Sequence, residues 1–147
     1  MVDDLPGIRF QQSIEGIDAS QLSTGVDGFF DGWPNPPTAE THLEILRGSW
    51  AVCLAIDTES NQVVGFINAV SDGVLSAYIP LLEVLRSYRG RGIGSELVRR
   101  LLESLADFYM IDLSCDEDVV PFYRSFGMTP GISLMSRNYP KQSGRLG

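Results

Sequence analysis

Two periods of apolar and polar residues alternate along this chain. Ile8 to Gln12 alternates at every second residue and predicts a first strand. Asp18 is placed to cap a helix running through Phe29 and Phe30, and Gly28, Gly32, Pro34, Pro36 and Pro37 then break the chain into a loop. Thr38 suits the cap of a second short helix, Ala39 to Leu46, with Gly48 at its end. Trp50 to Asp57 and Val63 to Val70 read as paired strands joined through residues 57–61, and Asp72-Gly73 marks the next tight turn. Val74 to Leu85 predicts one long strand. Ser95 to Tyr109 has helical spacing, with Leu97, Leu101, Leu102, Leu105 and Phe108 as its apolar stripe. Met110 to Ser114 predicts a short buried strand, Val119 to Phe126 a short helix closed by Gly127, and Ile132 to Arg137 a last strand. The polar tail from Pro140 is expected to fray. This order predicts one α+β domain over residues 1–147, an α/β mixed sheet of about six strands flanked by about four helices, without repeats.

Composition narrows the picture. At 147 residues the chain can bury a core without staples. It has no run of 18 apolar residues, and Met1-Val2-Asp3-Asp4 lacks the basic start of a signal peptide, so a soluble cytoplasmic protein is expected. Cys53 and Cys115 are too few for a disulfide framework or a metal cluster. Cys53 reads as a buried small residue, and Cys115 lies at a strand end near the presumed cleft. His42 is the only histidine, which argues against a His-based metal site or a Ser/His triad; it is expected to decorate a helix. No metal is expected. The net charge of −8 is unevenly spread: residues 1–85 hold twelve acids against Arg9 and Arg47, whereas residues 86–100 hold five arginines against Glu96. An acidic body repels nucleic acid and attracts cationic small molecules or basic peptides, or simply keeps the protein soluble.

The basic island coincides with Tyr88-Arg89-Gly90-Arg91-Gly92-Ile93-Gly94-Ser95, between the strand-like run and the long helix. Glycines allow positive φ and close approach of a ligand, successive N–H groups converge on one anion, and a helix N-terminus adds partial positive charge. Arginine adds forked donors for phosphate oxygens. The nucleotide P-loop requires a lysine that this segment lacks. The dinucleotide loop requires G-x-G-x-x-G, and here the spacing is Gly90-x-Gly92-x-Gly94, with helix rather than an acidic strand end following. An ordinary strand–loop–helix turn with surface arginines is the bland alternative. Arg89-Gly90-Arg91-Gly92-Ile93-Gly94 resembles the acetyl-CoA loop of the GNAT N-acetyltransferases, [RQ]-x-x-G-x-[GA], at every specified position. Leu82-Glu83-Val84-Leu85 looks like that family's fourth strand, and residues 119–128 resemble its second motif, A-x-x-F-Y-x-x-x-G-F. Residues 74–137 align by element order, while the part before residue 60 matches only in general plan.

The resemblance implies an acetyl-CoA-dependent N-acetyltransferase working by direct attack in a ternary complex. Backbone N–H groups of Arg89, Gly90, Arg91, Gly92, Ile93, Gly94 and Ser95 would bind the pyrophosphate. Val84 and Leu85 would pair with the pantetheine arm like an added strand. The fourth and fifth strands would splay to admit the acyl group, with an N–H near Val84 as oxyanion donor. Tyr123, at the motif's tyrosine, would hydrogen-bond or protonate the departing thiolate. Glu83 is the candidate base, or else the exposed member of its strand. Asp116 binds the amine or caps the next helix. Val119 and Pro121 depart from the motif, where alanine and asparagine are frequent nearby. Phe30, Asp31 and Trp33 are candidates for acceptor contact, with a cationic small-molecule amine or peptide as partner, or else the aromatics are core or lid packing. Neither nucleic acid nor a membrane is expected as partner; homodimers are common in such folds, though no feature here fixes one. The alternative is a non-catalytic acyl-CoA sensor or interaction module; a nucleotide-handling enzyme is remote without the P-loop lysine.

Overall fold

Six strands form one mixed sheet, and a break in its middle sets up everything that follows. The computed structural model describes residues 5–145. Strands β1 (Ile8–Gln11), β2 (Ala51–Asp57) and β3 (Val63–Ser71) run antiparallel in that order. β3 then divides its far edge: Val70–Ser71 pairs with β4 (Ser76–Ile79), and Gly65–Ile67 pairs with β5 (Leu82–Val84). β6 (Met110–Leu113) extends β4 as a parallel neighbour, residue for residue from Ser76 to Ile79. β2 and β3 are apolar nearly throughout because both their faces are covered. One face packs under α2 (Ile93–Ser104), around Val64, Ile67, Leu97 and Leu101. The other packs under α1 (Ala39–Arg47) and the loop before it, around Phe29, Phe30, Leu54 and Phe66. A short α3 (Val120–Arg124) follows β6.

Several expectations change. The long strand 74–85 is two short strands, because Pro80 lacks the N–H that would continue the ladder. The helix expected from Asp18 through Phe30 is only a 3-10 turn, Ala19–Gln21, closed by a reciprocal Asp18/Gln21 capping box. Beyond it Gly25, Asp27 and Phe30 take positive φ, which no helix accommodates. The described chain therefore has three α-helices plus short 3-10 turns, against about four helices expected. Residues 132–137 form no strand: Ile132 and Leu134 are 96% and 95% exposed. Alternation proposes a strand, but ladder pairing makes one, and Ser114 and Ser133, 3.1 Å apart, are the only side-chain bridge from this segment to the end of β6 among the described residues. The tail expected to fray carries a 3-10 turn at Tyr139–Lys141, and Gln142 Oε1 accepts from the Asn35 N–H at 2.8 Å. His42 lies on a helix as expected, but on its inward side, fully buried. Cys53 is buried and Cys115 exposed. Among the described residues no helix is long and apolar enough to cross a membrane.

Candidate active site

The site begins where the sheet opens. β4 stays paired to β6 up to Ile79 and Leu113, but β5 pairs only with β3, so its other edge is left open. Val64 and Asn68 bond Leu85 and Leu81 across the ladder, which makes 64–85, 66–83 and 68–81 the hydrogen-bonded pairs. Antiparallel alternation then turns the backbone groups of Leu82 and Val84 away from β3 and into the opening, whereas Leu85, expected beside Val84 on the pantetheine edge, gives its N–H to the Val64 carbonyl at 2.8 Å. Side chains alternate with them: Val84 packs toward α2, while Glu83, opposite Phe66, projects to the α1 face. One strand thus offers backbone donors at its edge and a carboxylate on one face. The Val84 carbonyl already accepts from Arg89 Nε at 2.9 Å.

The cradle follows after a 3-10 turn, Arg86–Tyr88. Gly90 and Gly92 have φ of +79° and +88°, and a Cβ at either would meet nothing within 4 Å. Among the described residues none of the N–H groups from Gly90 to Ser95 donates to a backbone carbonyl, and the first intrahelical bond runs from Glu96 N–H to the Gly92 carbonyl at 3.1 Å. These are the orphan donors of a helix start, exposed on an open loop. The arginines divide the labour. Arg99 and Arg100 pair with Glu96 at 2.5 and 2.6 Å. Arg86 turns the other way, to Asp31 at 3.0 Å and Asp27 at 3.8 Å. Arg89 and Arg91 have no carboxylate partner among the described residues, and Arg91 lies over the Tyr88 ring at 5.0 Å. The Tyr88 hydroxyl donates to Asp57 at 2.5 Å, tying the cradle's entry to the end of β2.

On the opposite face, the Phe30 N–H donates to Glu83 Oε1 at 2.8 Å. Burial pushes the Glu83 carboxyl upward, opposed by that N–H and by Arg89. Phe30 does not offer its ring to an acceptor, because it is 1% exposed and packs against Trp33, His42 and Phe66. Trp33 is 37% exposed. The Arg86 guanidinium bonded to Asp31 holds that carboxyl below its usual range, so Asp31 is already matched with a cation.

Tyr123 is half-buried, and burial pushes its phenol upward, so it stays protonated near neutral pH. It lines a cavity of about 950 Å³ together with Cys115, Asp116, Val120 and the 128–137 segment. Neither Glu83 nor the cradle borders that cavity. The link from α3 to the cradle is Phe122, whose ring tip would lie 4.0 Å from a Cβ on Gly94. Asp116 is exposed and makes no capping bond with its side chain. The structure therefore groups Glu83, Val84, Arg89 and the glycines along one strand-to-helix segment, whereas Tyr123 lines a separate cavity and reaches the cradle only through its neighbour Phe122. Sequence reasoning passed over Arg86, Asp57 and Tyr88 as individual partners. Arg86 had a signal, standing between an acidic body and the basic cradle, but Asp57 is 31 residues from Tyr88 and gave none.

Comparison with known proteins identifies the family. A profile of the acetyltransferase (GNAT) family matches residues 22–128. A crystal structure from Deinococcus radiodurans R1, of a protein assigned to the acetyltransferases, is 50% identical with a TM-score of 0.89, over 96% of this chain and 95% of that one. GCN5-related N-acetyltransferase 3, chloroplastic, of Arabidopsis thaliana is 44% identical over 73 residues, 48% of this chain and 31% of that protein. Histone acetyltransferase TAP1 of Glycine max is 30% identical over 107 residues, 65% of this chain and 46% of that protein. The chain spans less than half the length of these curated relatives. With a matched profile across most of the chain and the fold to go with it, the chain belongs to the GNAT acetyltransferase family.

Proposed function

We propose that this chain is an acetyl-CoA-dependent N-acetyltransferase that transfers an acetyl group to a primary amine of a small molecule or peptide, by direct attack in a ternary complex. The observation that carries the reading is the row of unpartnered N–H groups from Gly90 to Ser95, opening beside the free edge of β5. That row, with Arg89 and Arg91, fits a pyrophosphate, and the edge of Leu82 and Val84 fits an extended pantetheine arm. Bound acetyl-CoA supplies the acyl group and a thiol leaving group. The chain's residues do the rest. An alkylammonium has a pKa near 10 and must lose a proton before its nitrogen attacks. Glu83 accepts that proton, its partial burial making it a better base than an exposed carboxylate. The Val84 N–H, turned into the opening, donates to the acyl oxygen as charge develops there. As the C–N bond forms and the C–S bond breaks, Tyr123 gives its phenolic proton to the departing sulfur, and the second proton on the attacking nitrogen returns to the phenolate, which leaves a neutral amide and restores the phenol. The acidic body, twelve acids against two arginines in residues 1–85, favours a cationic acceptor.

A second reading has one observation behind it. The Arg89 guanidinium occupies the Val84 carbonyl, an edge group the pantetheine arm would use; a non-catalytic acyl-CoA sensor would tolerate that arrangement. Calorimetry with acetyl-CoA, followed by a primary-amine panel read by thiol release, separates the two. Binding with turnover supports the enzyme, binding alone supports the sensor, and no binding at about 1 mM excludes both. Tyr123→Phe should bind CoA like the parent but lower kcat about a hundredfold; unchanged turnover removes Tyr123 from the mechanism.

A further inference from the structure

Phe30 has a φ of +62°, a left-handed backbone where glycine would be expected. A bulky residue stays there only when its surroundings impose it, and such positions cluster at functional sites. Three sets of contacts impose it here. The ring is buried among His42, Phe66 and Trp33, with centroids 5.0, 6.2 and 4.9 Å away. The backbone is braced on both sides: Phe29 N–H donates to the Ser23 carbonyl at 2.9 Å, and Trp33 N–H to the Phe30 carbonyl at 3.0 Å. The next residue, Asp31, is bonded to Arg86, three positions beyond Glu83 on the neighbouring segment. What the strained residue delivers is one hydrogen bond, from its N–H to Glu83 Oε1 at 2.8 Å. Among the described residues Glu83 has no other hydrogen-bond donor. Its carboxylate is therefore fixed through one oxygen and free at the other.

We propose that the Phe30 turn is a positioning device for the base: its N–H anchors Oε1 of Glu83, and Oε2 is left to take the proton of the acceptor amine. This rests on the reading of Glu83 as base. The ring cage and the Asp31–Arg86 pair are the two anchors of the turn. The charged groups around Glu83 are Asp31 from the loop, Arg86 from the 3-10 turn and Arg89 from the cradle, with His42 beneath the Phe30 ring. Arg86 offsets the charge of Asp31, so the pair holds the turn without leaving a bare carboxylate beside the base.

The test is a pH titration by NMR of the whole chain carrying ¹³C-carboxyl glutamate and ¹⁵N amides. There are eight glutamates, and the Glu83 signal is the one missing from Glu83→Gln. The Phe30 amide should shift with the Glu83 titration and lose that response in Glu83→Gln. Phe30→Gly, which keeps the left-handed φ but loses the ring, and the charge-neutral double variant Asp31→Ala with Arg86→Ala, which removes the pair that anchors the turn, should both move the Glu83 titration to higher pH, because a donor to the charged form is weakened. If Phe30→Gly does not fold, the double variant carries the test alone. Both variants should lower kcat/KM about tenfold at pH 7, with spermidine and a lysine-containing peptide as acceptor probes. A Phe30 amide that stays flat through the Glu83 titration, or a Glu83 titration unmoved in the folded variants, overturns the proposal. Glu83→Gln with undiminished turnover would instead remove Glu83 as base and leave the hydrogen bond as structure only.

Discussion

Two loops flank β5, and they differ in what they leave unpaired. Among the described residues the cradle holds six consecutive N–H groups without backbone acceptors, and its glycines at 90 and 92 face open space. The loop from Ser23 to Trp33 does the reverse. Its amides bond back within the loop at Gly25, Gly28, Phe29 and Trp33, Thr24 Oγ1 donates to the Pro37 carbonyl at 2.8 Å, and its two phenylalanines are buried. Its strained residue spends its amide on Glu83. In the proposed reading the first loop receives the cofactor's phosphates, whereas the second holds the Glu83 side chain still.

The largest effect that would sharpen this contrast comes from His42, in the floor of the supporting loop. Its ring lies 4.4 to 5.3 Å from Phe66, Phe30 and Phe29, and neither ring nitrogen has a hydrogen-bond partner among the described residues. Burial pushes its pKa down from 6.5 to about 4. The folded protein keeps His42 neutral while the unfolded chain protonates near 6.5, so the unfolded state binds the extra proton between those values. Stability is then whole above pH 6.5 and falls by about 3 kcal/mol as pH drops from 6.5 to 4. Urea unfolding of the parent and His42→Phe across this range should show that slope in the parent only. Parallel curves would mean that the histidine titrates alike in both states, and the floor of the loop would not be the dry cage described here.

The two loops also explain why one half of the site was legible in the sequence and the other was not. The proposed cradle is local backbone, so its glycines and a helix close behind them are visible in the sequence, although the helix begins at Ile93 rather than Ser95 and the pyrophosphate role comes from the family resemblance. The expected splay of two strands corresponds to a real division of pairing at Pro80. For Phe30, Asp31 and Trp33 the sequence leaves acceptor contact and core packing both open, because composition says nothing of which way a ring turns. Phe30 faces inward through a backbone angle that its residue type disfavours, and Asp31 is neutralised by a residue 55 positions away. The missing strand at 132–137 failed for a related reason: its alternation is present, but β6 offers it no ladder.

Adding one side chain to each loop should separate their roles further. A Cβ at Gly28 would lie 2.8 Å from the Thr24 nitrogen, a backbone atom that cannot move aside cheaply. Gly28→Ala should cost about 2 kcal/mol of stability while leaving acetyl-CoA affinity of the folded protein unchanged. Gly92→Val has open space around it, but a β-branched residue resists the φ of +88° at the helix start. It should weaken acetyl-CoA about thirtyfold by calorimetry while costing less stability than Gly28→Ala. The reverse pattern, with CoA binding lost at residue 28 and kept at 92, would exchange the roles of the two loops.

The smallest effect belongs to Arg91, and it tests whether the cradle works through charge as well as backbone. Its guanidinium lies over the Tyr88 ring, and Tyr88 is held by Asp57, so the cation is steadied without being neutralised by a direct carboxylate partner. A cation prepared in this way attracts a polyphosphate through a field that salt screens. Arg91→Gln should weaken acetyl-CoA about fivefold at low ionic strength, and the gap to the parent should narrow as salt approaches 1 M. Equal affinities at every salt concentration would assign phosphate binding to the backbone N–H groups alone. The contrast between the loops would then be one of hydrogen bonding, with the basic island serving the fold through Glu96 and Asp31 instead.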